Sequence, residues 1–335
     1  MKLLYLLSSV LVLLATATLL NAQNIWVIET NKSVSIRGLS VVNNKVAWLS
    51  SSRGYTAITL DGGLTWNWQQ VKGFEKSDFR DIEAFSDKEA IIMSSGTPAL
   101  ILKTTDGGAN WQLKYRNDDK AYFLDAMDFS NKKHGLILGD PIDKKFLLLE
   151  TNDSGDSWHK FANQPDAEEG EAAFAASGTC LRIGDKEAVG FVTGGKISRL
   201  ITTGPKNSNW VYTSLPVSQG KDSQGAFSLD RTVSLFVGGD YVSNKKSEGT
   251  AAYYDTTSGI AYKQSSIPSG YQSCVENIGP ETYFSTGTSG SNLTKDNGHT
   301  WHQIDTNSFN VCRKAKRGKL VLLAGDKGKI GILTL

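Results

Sequence analysis

The chain is 335 residues long, 39% hydrophobic and 21% charged, and its 36 basic and 34 acidic side chains leave a net charge of +2. Charges of both signs are mixed throughout, and no basic stripe interleaved with aromatics stands out, which excludes a nucleic-acid partner. The length suits two ordinary domains or one large repeat architecture.

Residues 1–23 read as a secretory signal peptide, with one positive charge at Lys2, an apolar run over 3–14 and small residues ending in Leu20-Asn21-Ala22-Gln23. The run is short for a span and no stop-transfer segment follows, so no membrane span is expected after cleavage. An uncleaved anchor is the competing reading. Ala15-Thr16-Ala17 and Leu20-Asn21-Ala22 are alternative cleavage sites, and no cysteine lies near either, which argues against a lipoprotein. The expected location is secreted or periplasmic.

Beyond residue 23 one pattern, T-x-D-x-G-x-x-W, occurs four times: at Thr59 to Trp66, Thr104 to Trp111, Thr151 to Trp158 and Thr294 to Trp301. The aspartates Asp61, Asp106 and Asp153 step by 45 and 47 residues, and Asp296 follows after 143, close to three further steps. Such a period is that of a four-stranded propeller blade. In the first unit, short β-rich runs at 35–42, 46–51, 55–60 and 65–71 are separated by turn residues, an antiparallel meander. The same grammar predicts a second blade at about 79–116, a third at 121–162 and a sixth at 271–305. A fourth unit at about 172–215 keeps only Trp210, and a fifth at 225–267 keeps the remnant Asp255-Thr-Thr-Ser-Gly259 and Tyr262. From Phe309 onward only three strands fit, at 310–315, 320–324 and 330–335, while residues 24–29 have the composition of an outer strand. Pairing them closes the ring and removes an exposed edge. The expected fold is therefore all-β: residues 24–335 as a single seven-bladed β-propeller.

In each repeat the aspartate sits in the turn between the third and fourth strands, where its carboxylate can accept N–H groups of its own turn. The glycine supplies positive φ, and Trp66, Trp111, Trp158 and Trp301 open the outer strands, with the indole N–H expected to reach a backbone acceptor. Turns spread around a ring do not converge, so these aspartates are read as structural and not as metal ligands or catalytic acids.

The boxes resemble the Asp-box, or BNR, repeats of sialidases, some xyloglucan-cleaving hydrolases, sorting receptors and the photosystem II stability and assembly factor family. The last is the nearest in pattern. Val46-Ala-Trp-Leu-Ser-Ser-Ser-Arg-Gly54-Tyr-Thr-Ala-Ile58-Thr59-Leu-Asp61-Gly-Gly63-Leu-Thr-Trp66 follows its repeat, and Ile101-Leu-Lys-Thr104-Thr-Asp106-Gly-Gly108 follows part of it. The resemblance implies the propeller fold and a non-catalytic, assembly-like role with a protein partner; it does not imply photosynthesis. The alternative is a sialidase-like glycoside hydrolase or carbohydrate-binding propeller. Its Phe/Tyr-Arg-Ile-Pro segment is absent, Ser35-Ile36-Arg37-Gly38 being the nearest remnant. A hydrolase would need two carboxyl groups facing one pocket, with Asp81, Glu83, Asp125, Asp128 and Glu276 as candidates.

Arg37, Arg80, Arg182 and Arg313 fall on or beside predicted inner strands, where they would suit a carboxylate or phosphate ligand or simply line a wet channel. Asp240 and Tyr241 lie in the longest rim loop, 238–250, on the face opposite the boxes, where long loops gather. The basic run Arg313-Lys314-Lys316-Arg317-Lys319 is read as a solvated strand-turn. Cys274 and Cys312, 38 residues apart near the starts of adjacent inner strands, are placed for a disulfide or for apolar packing, with Cys180 left free. The chain has no nucleophile elbow, Walker loop, Rossmann fingerprint, H-E-x-x-H pair or Cys/His cluster with metal spacing, so no cofactor, metal or catalytic residue is assigned.

Overall fold

Short apolar runs punctuated by turn residues become strands of two kinds. Ala90–Ser95 and Ala99–Thr104 are buried along their whole length, whereas the strand that follows them, Gln112–Asn117, is largely exposed. A strand buried on both faces needs a sheet on each side, and a ring of sheets supplies one. The computed structural model describes residues 24–184, 188–204, 209–232, 234–264 and 266–334. The segment read as a signal peptide lies outside them.

Seven antiparallel blades follow in chain order, their inner strands being Ile36–Val41, Asp78–Ala84, Leu124–Phe129, Leu181–Ile183, Lys221–Leu229, Cys274–Gly279 and Val311–Lys314. Blade 7 is built from both ends of the chain. Asn24–Glu29 pairs along its length with Lys329–Thr334, from Asn24 opposite Thr334 to Glu29 opposite Lys329. The expected closure of the ring is thus present. Blade 5 is wider than the others, because Gly194–Gly195 and Glu171–Ala172 extend its inner edge to six strands.

The box turns are hydrogen-bonded within themselves. In blade 3, Thr151 Oγ1 donates to Asp153 Oδ1 at 2.8 Å and accepts the Gly155 N–H at 2.9 Å. Asp153 also accepts the Ser157 N–H at 2.9 Å and its hydroxyl at 2.6 Å. Asp61 and Asp296 repeat the scheme with Thr65 and Thr300, and Asp106 does so with Asn110. The tryptophans differ from expectation. Trp66 Nε1 reaches Gly63 O at 3.0 Å, but Trp111, Trp158 and Trp301 have no acceptor among the described residues. They act through their rings: Trp111 meets Trp48 of the neighbouring blade edge-on at 6.3 Å, and Trp158 meets Phe129 at 6.0 Å. Buried apolar surface between blades, worth about 1.5–3 kcal/mol per large side chain, outweighs the unmade indole bonds.

The fourth blade departs from its predicted start. Its inner strand begins at Leu181, because residues 173–180 leave the sheet and enter the centre of the ring. Trp210 opens the outer strand as expected, donating to Asn163 O at 2.8 Å.

Candidate functional site

Seven inner strands leave an axial channel, and residues 175–179 fill its middle. This plug touches every other blade. Arg37 of blade 1 donates to Ala176 O at 3.3 Å, and Arg313 of blade 7 donates to Gly178 O at 3.2 Å. Ser177 Oγ donates to Ser273 O of blade 6 at 2.7 Å, and Thr179 Oγ1 donates to Ser228 Oγ of blade 5 at 2.7 Å. Asp125 of blade 3 accepts the Ala175 N–H. Gly178, at φ +66°, lies so near Asp81 of blade 2 that a Cβ there would stand 2.2 Å from the carboxylate. No longer residue fits.

A cavity opens at each end of the axis. The larger, of about 880 Å³, lies on the box side, beneath the ends of the inner strands. Six cations line it, Lys132, Arg231, Arg313, Lys314, Lys316 and Arg317, against the three acids Glu83, Asp128 and Glu276. Arg231 Nη2 meets Asp128 Oδ1 at 3.0 Å, Lys316 pairs with Glu83, and Glu276 Oε2 lies 3.6 Å from Arg182 and 3.9 Å from Arg313. Among the described residues Lys314 and Arg317 have no ion pair. The basic run expected as a solvated turn is therefore one wall of this cavity, with only Lys319 standing clear of it.

The smaller cavity, of about 470 Å³, opens on the opposite face and is lined by Arg37, Arg80, Tyr241, the buried Asp125, the half-buried Asp140 and several aromatic rings. Arg80 is held by Asp78 at 2.7 Å. The predicted ligand residues thus do not form one site. Arg37, Arg80 and Tyr241 gather at one mouth and Arg313 at the other. Arg182 is fully buried, donating to Leu229 O at 3.2 Å. Asp240 folds into its own turn, accepting the N–H groups of Val242 and Ser243 at 3.0 and 3.2 Å. Sequence reasoning missed Arg231, and read Lys316 only as part of a solvated run, although both follow the ends of inner strands, at the position where the box-side mouth opens.

Asp81 is completely buried and accepts the N–H groups of Ile82 and Met127 at 2.8 and 2.7 Å. Burial pushes its carboxyl up to about 7, against the pull of Arg313 and these two bonds. Cys274 and Cys312 do lie side by side, but as thiols: their sulfurs are 3.5 Å apart, well beyond the roughly 2.05 Å of a disulfide. The expected bond is not formed, and all three cysteines are free and buried.

The sequence profile of a family described as "Photosynthesis system II assembly factor YCF48" matches residues 19–121. The photosystem II assembly lipoprotein Ycf48 of Synechococcus sp. (strain CC9902) is 31% identical over 104 residues, 30% of this chain and 28% of that protein, so the match spans little more than a quarter of the relative's length. In fold the likeness covers nearly everything. A structure described as YCF48 bound to D1 peptide aligns with 94% of this chain and 96% of its own at a TM-score of 0.67 and 16% identity. YCF48 from Cyanidioschyzon merolae aligns with 92% and 98% at a TM-score of 0.64 and 13% identity. The chain is a seven-bladed propeller that resembles the photosystem II assembly factor family.

Proposed function

We propose that the chain is a non-catalytic propeller of the cell envelope that assists assembly by holding an acidic or carboxylate-ending segment of a partner protein in the larger axial cavity. The observation that carries this reading is that six cations face three acids around that cavity and, with Lys132 held by Glu89 at 2.6 Å, Lys314 and Arg317 are left unpaired among the described residues. Arginine and lysine at the end of a concave channel favour carboxylates and steer their approach. The relative solved with a D1 peptide supports a polypeptide as the occupant. Glu83, Asp128 and Glu276 share the same cavity, but each lies against a cation, an arrangement that suits orientation of the basic groups better than general acid catalysis.

The test is calorimetric titration of the folded protein with an acidic peptide ending in a free carboxylate and with its glutamine-substituted, amidated counterpart. The acidic peptide binds and the neutral one does not. Lys314→Glu combined with Arg317→Glu weakens binding by about tenfold or more, while the melting temperature is kept. Equal binding of both peptides overturns the reading, and turnover of a glycoside panel lost on Glu276→Gln replaces it with the hydrolase alternative. Export is tested separately, by the N-terminal sequence of the protein recovered from the envelope: a start after Ala17 or Ala22 supports cleavage, and an intact Met1 overturns it.

A further inference from the structure

The smaller cavity holds two carboxyl groups, the buried Asp125 and the half-buried Asp140, that make no ion pair among the described residues, Arg80 acting on Asp125 only at longer range. Asp125 is 1% exposed, yet its Oδ2 has no hydrogen-bond partner among the described residues. Asp140, on the neighbouring strand of the same blade, lines the same cavity and accepts the Ala173 N–H at 3.1 Å. The nearby arginines are already engaged. Arg80 pairs with Asp78 and lies over the Phe123 ring, and Arg37 donates to the plug and faces Asp326. No ion pair to Asp125 or Asp140 occurs among the described residues.

A desolvated carboxyl without a counter-ion takes up a proton or the positive charge of a ligand. Burial, then the charge of Asp140, hold Asp125 well above the usual carboxylate range, and burial pushes Asp140 up to about 6. Arg37, Arg80, Asp326, Tyr241, Tyr271 and Cys180 are the other titratable or charged groups that face the pair. The rest of the wall is aromatic. Tyr241, 49% exposed, meets Phe227 and Tyr271 edge-on at 6.1 and 6.3 Å, and Phe174 stacks on Phe227 at 3.8 Å. Aromatic faces attract cations, and their area suits an aliphatic stem. Among the described residues no group of three or more ligating side chains could hold a metal ion, and the cavity is far larger than one ion needs.

We propose that this cavity binds an organic cation, an ammonium or guanidinium group on an aliphatic stem, its head against Asp125 and Asp140 and its stem along Tyr241 and the Phe174–Phe227 stack. The cation is either a lysine or arginine side chain of a partner polypeptide or a free diamine. Binding displaces a proton held by one of the two acids. The site is at the opposite end of the axis from the cationic cavity, so the Lys314 and Arg317 variants leave it intact and the two readings fail independently.

The experiment titrates the folded full chain near neutral pH with a hexapeptide carrying one central lysine, the same peptide acetylated on that lysine, and cadaverine. The lysine peptide or cadaverine binds, and the acetylated peptide does not; which of the first two binds identifies the source of the cation. Near pH 6 binding releases protons, seen as a heat that depends on the ionisation enthalpy of the buffer. Asp140→Asn weakens binding by about tenfold or more and reduces that release. Tyr241→Ala, at an exposed position, weakens binding and serves where the Asp140 variant fails to fold. Equal binding of the acetylated and free peptides, or binding by none of the three probes, overturns the proposal.

Discussion

On the rim, Asp61 and Asp153 accept hydrogen bonds from Thr65 and Ser157 in open turns, which hold both carboxyls down to about 2. On the axis, Asp81 and Asp140 are pushed up to about 7 and about 6 by burial, although backbone N–H groups reach both. The residue type is the same and the shift is opposite, because hydration is kept at the rim and lost at the centre. Rim aspartates stabilise a local turn as anions. Asp81 and Asp140 are instead held by burial with a raised proton affinity.

The largest effect should come from the axis. Gly178→Val places a branched side chain against the fixed Asp81 carboxylate at a positive φ, and a loss of about 3 kcal/mol or more is expected in chemical denaturation. A variant of wild-type stability would mean that the plug is not packed as described.

A rim change should cost less. Thr151→Val removes the hydroxyl that joins Asp153 to the buried Gly155 N–H, for about 1–3 kcal/mol. If it equalled the Gly178 variant, the contrast between local turn and shared axis would fail.

Next comes the pH dependence of stability, whose two limbs have opposite causes. Asp61 and Asp153, lowered from 3.8 to about 2, bind fewer protons when folded, so their contribution is present above 3.8 and is lost as pH falls towards 2. Asp140 and Asp81, raised to about 6 and about 7, bind more protons when folded, so stability falls as pH rises from 3.8 through those values. Asp81→Asn should flatten the upper limb and leave the acid limb alone. Denaturation midpoints measured across pH check both, and an unchanged upper limb would remove the axial group from the account.

Smallest is Asp106→Ala, at a fully solvated turn. It should lower the melting temperature slightly and leave titration of acidic and lysine peptides unchanged. Loss of either binding at constant stability would make the boxes functional.

The spacing of four short boxes was enough to determine the blade length; the count of seven and the strand borrowed from residues 24–29 needed, in addition, the box remnants of the fourth and fifth units and the three strands left after Phe309. The inner-strand arginines were legible too, but only as positions on a ring. Which mouth each side chain faces was not, nor was the placement of the basic run along a cavity wall. The plug was the least legible, since residues 173–180, rich in Ala, Ser and Gly, carry no motif and fall at the start of the fourth unit predicted over 172–215. The physical reason is range. A box closes its hydrogen bonds within four residues, from Asp153 to Ser157, so local sequence suffices. The plug is held by partners 96 and 139 residues away, Ser273 and Arg37, and the desolvation that lifts Asp81, Asp125 and Asp140 exists only once seven blades have closed around them.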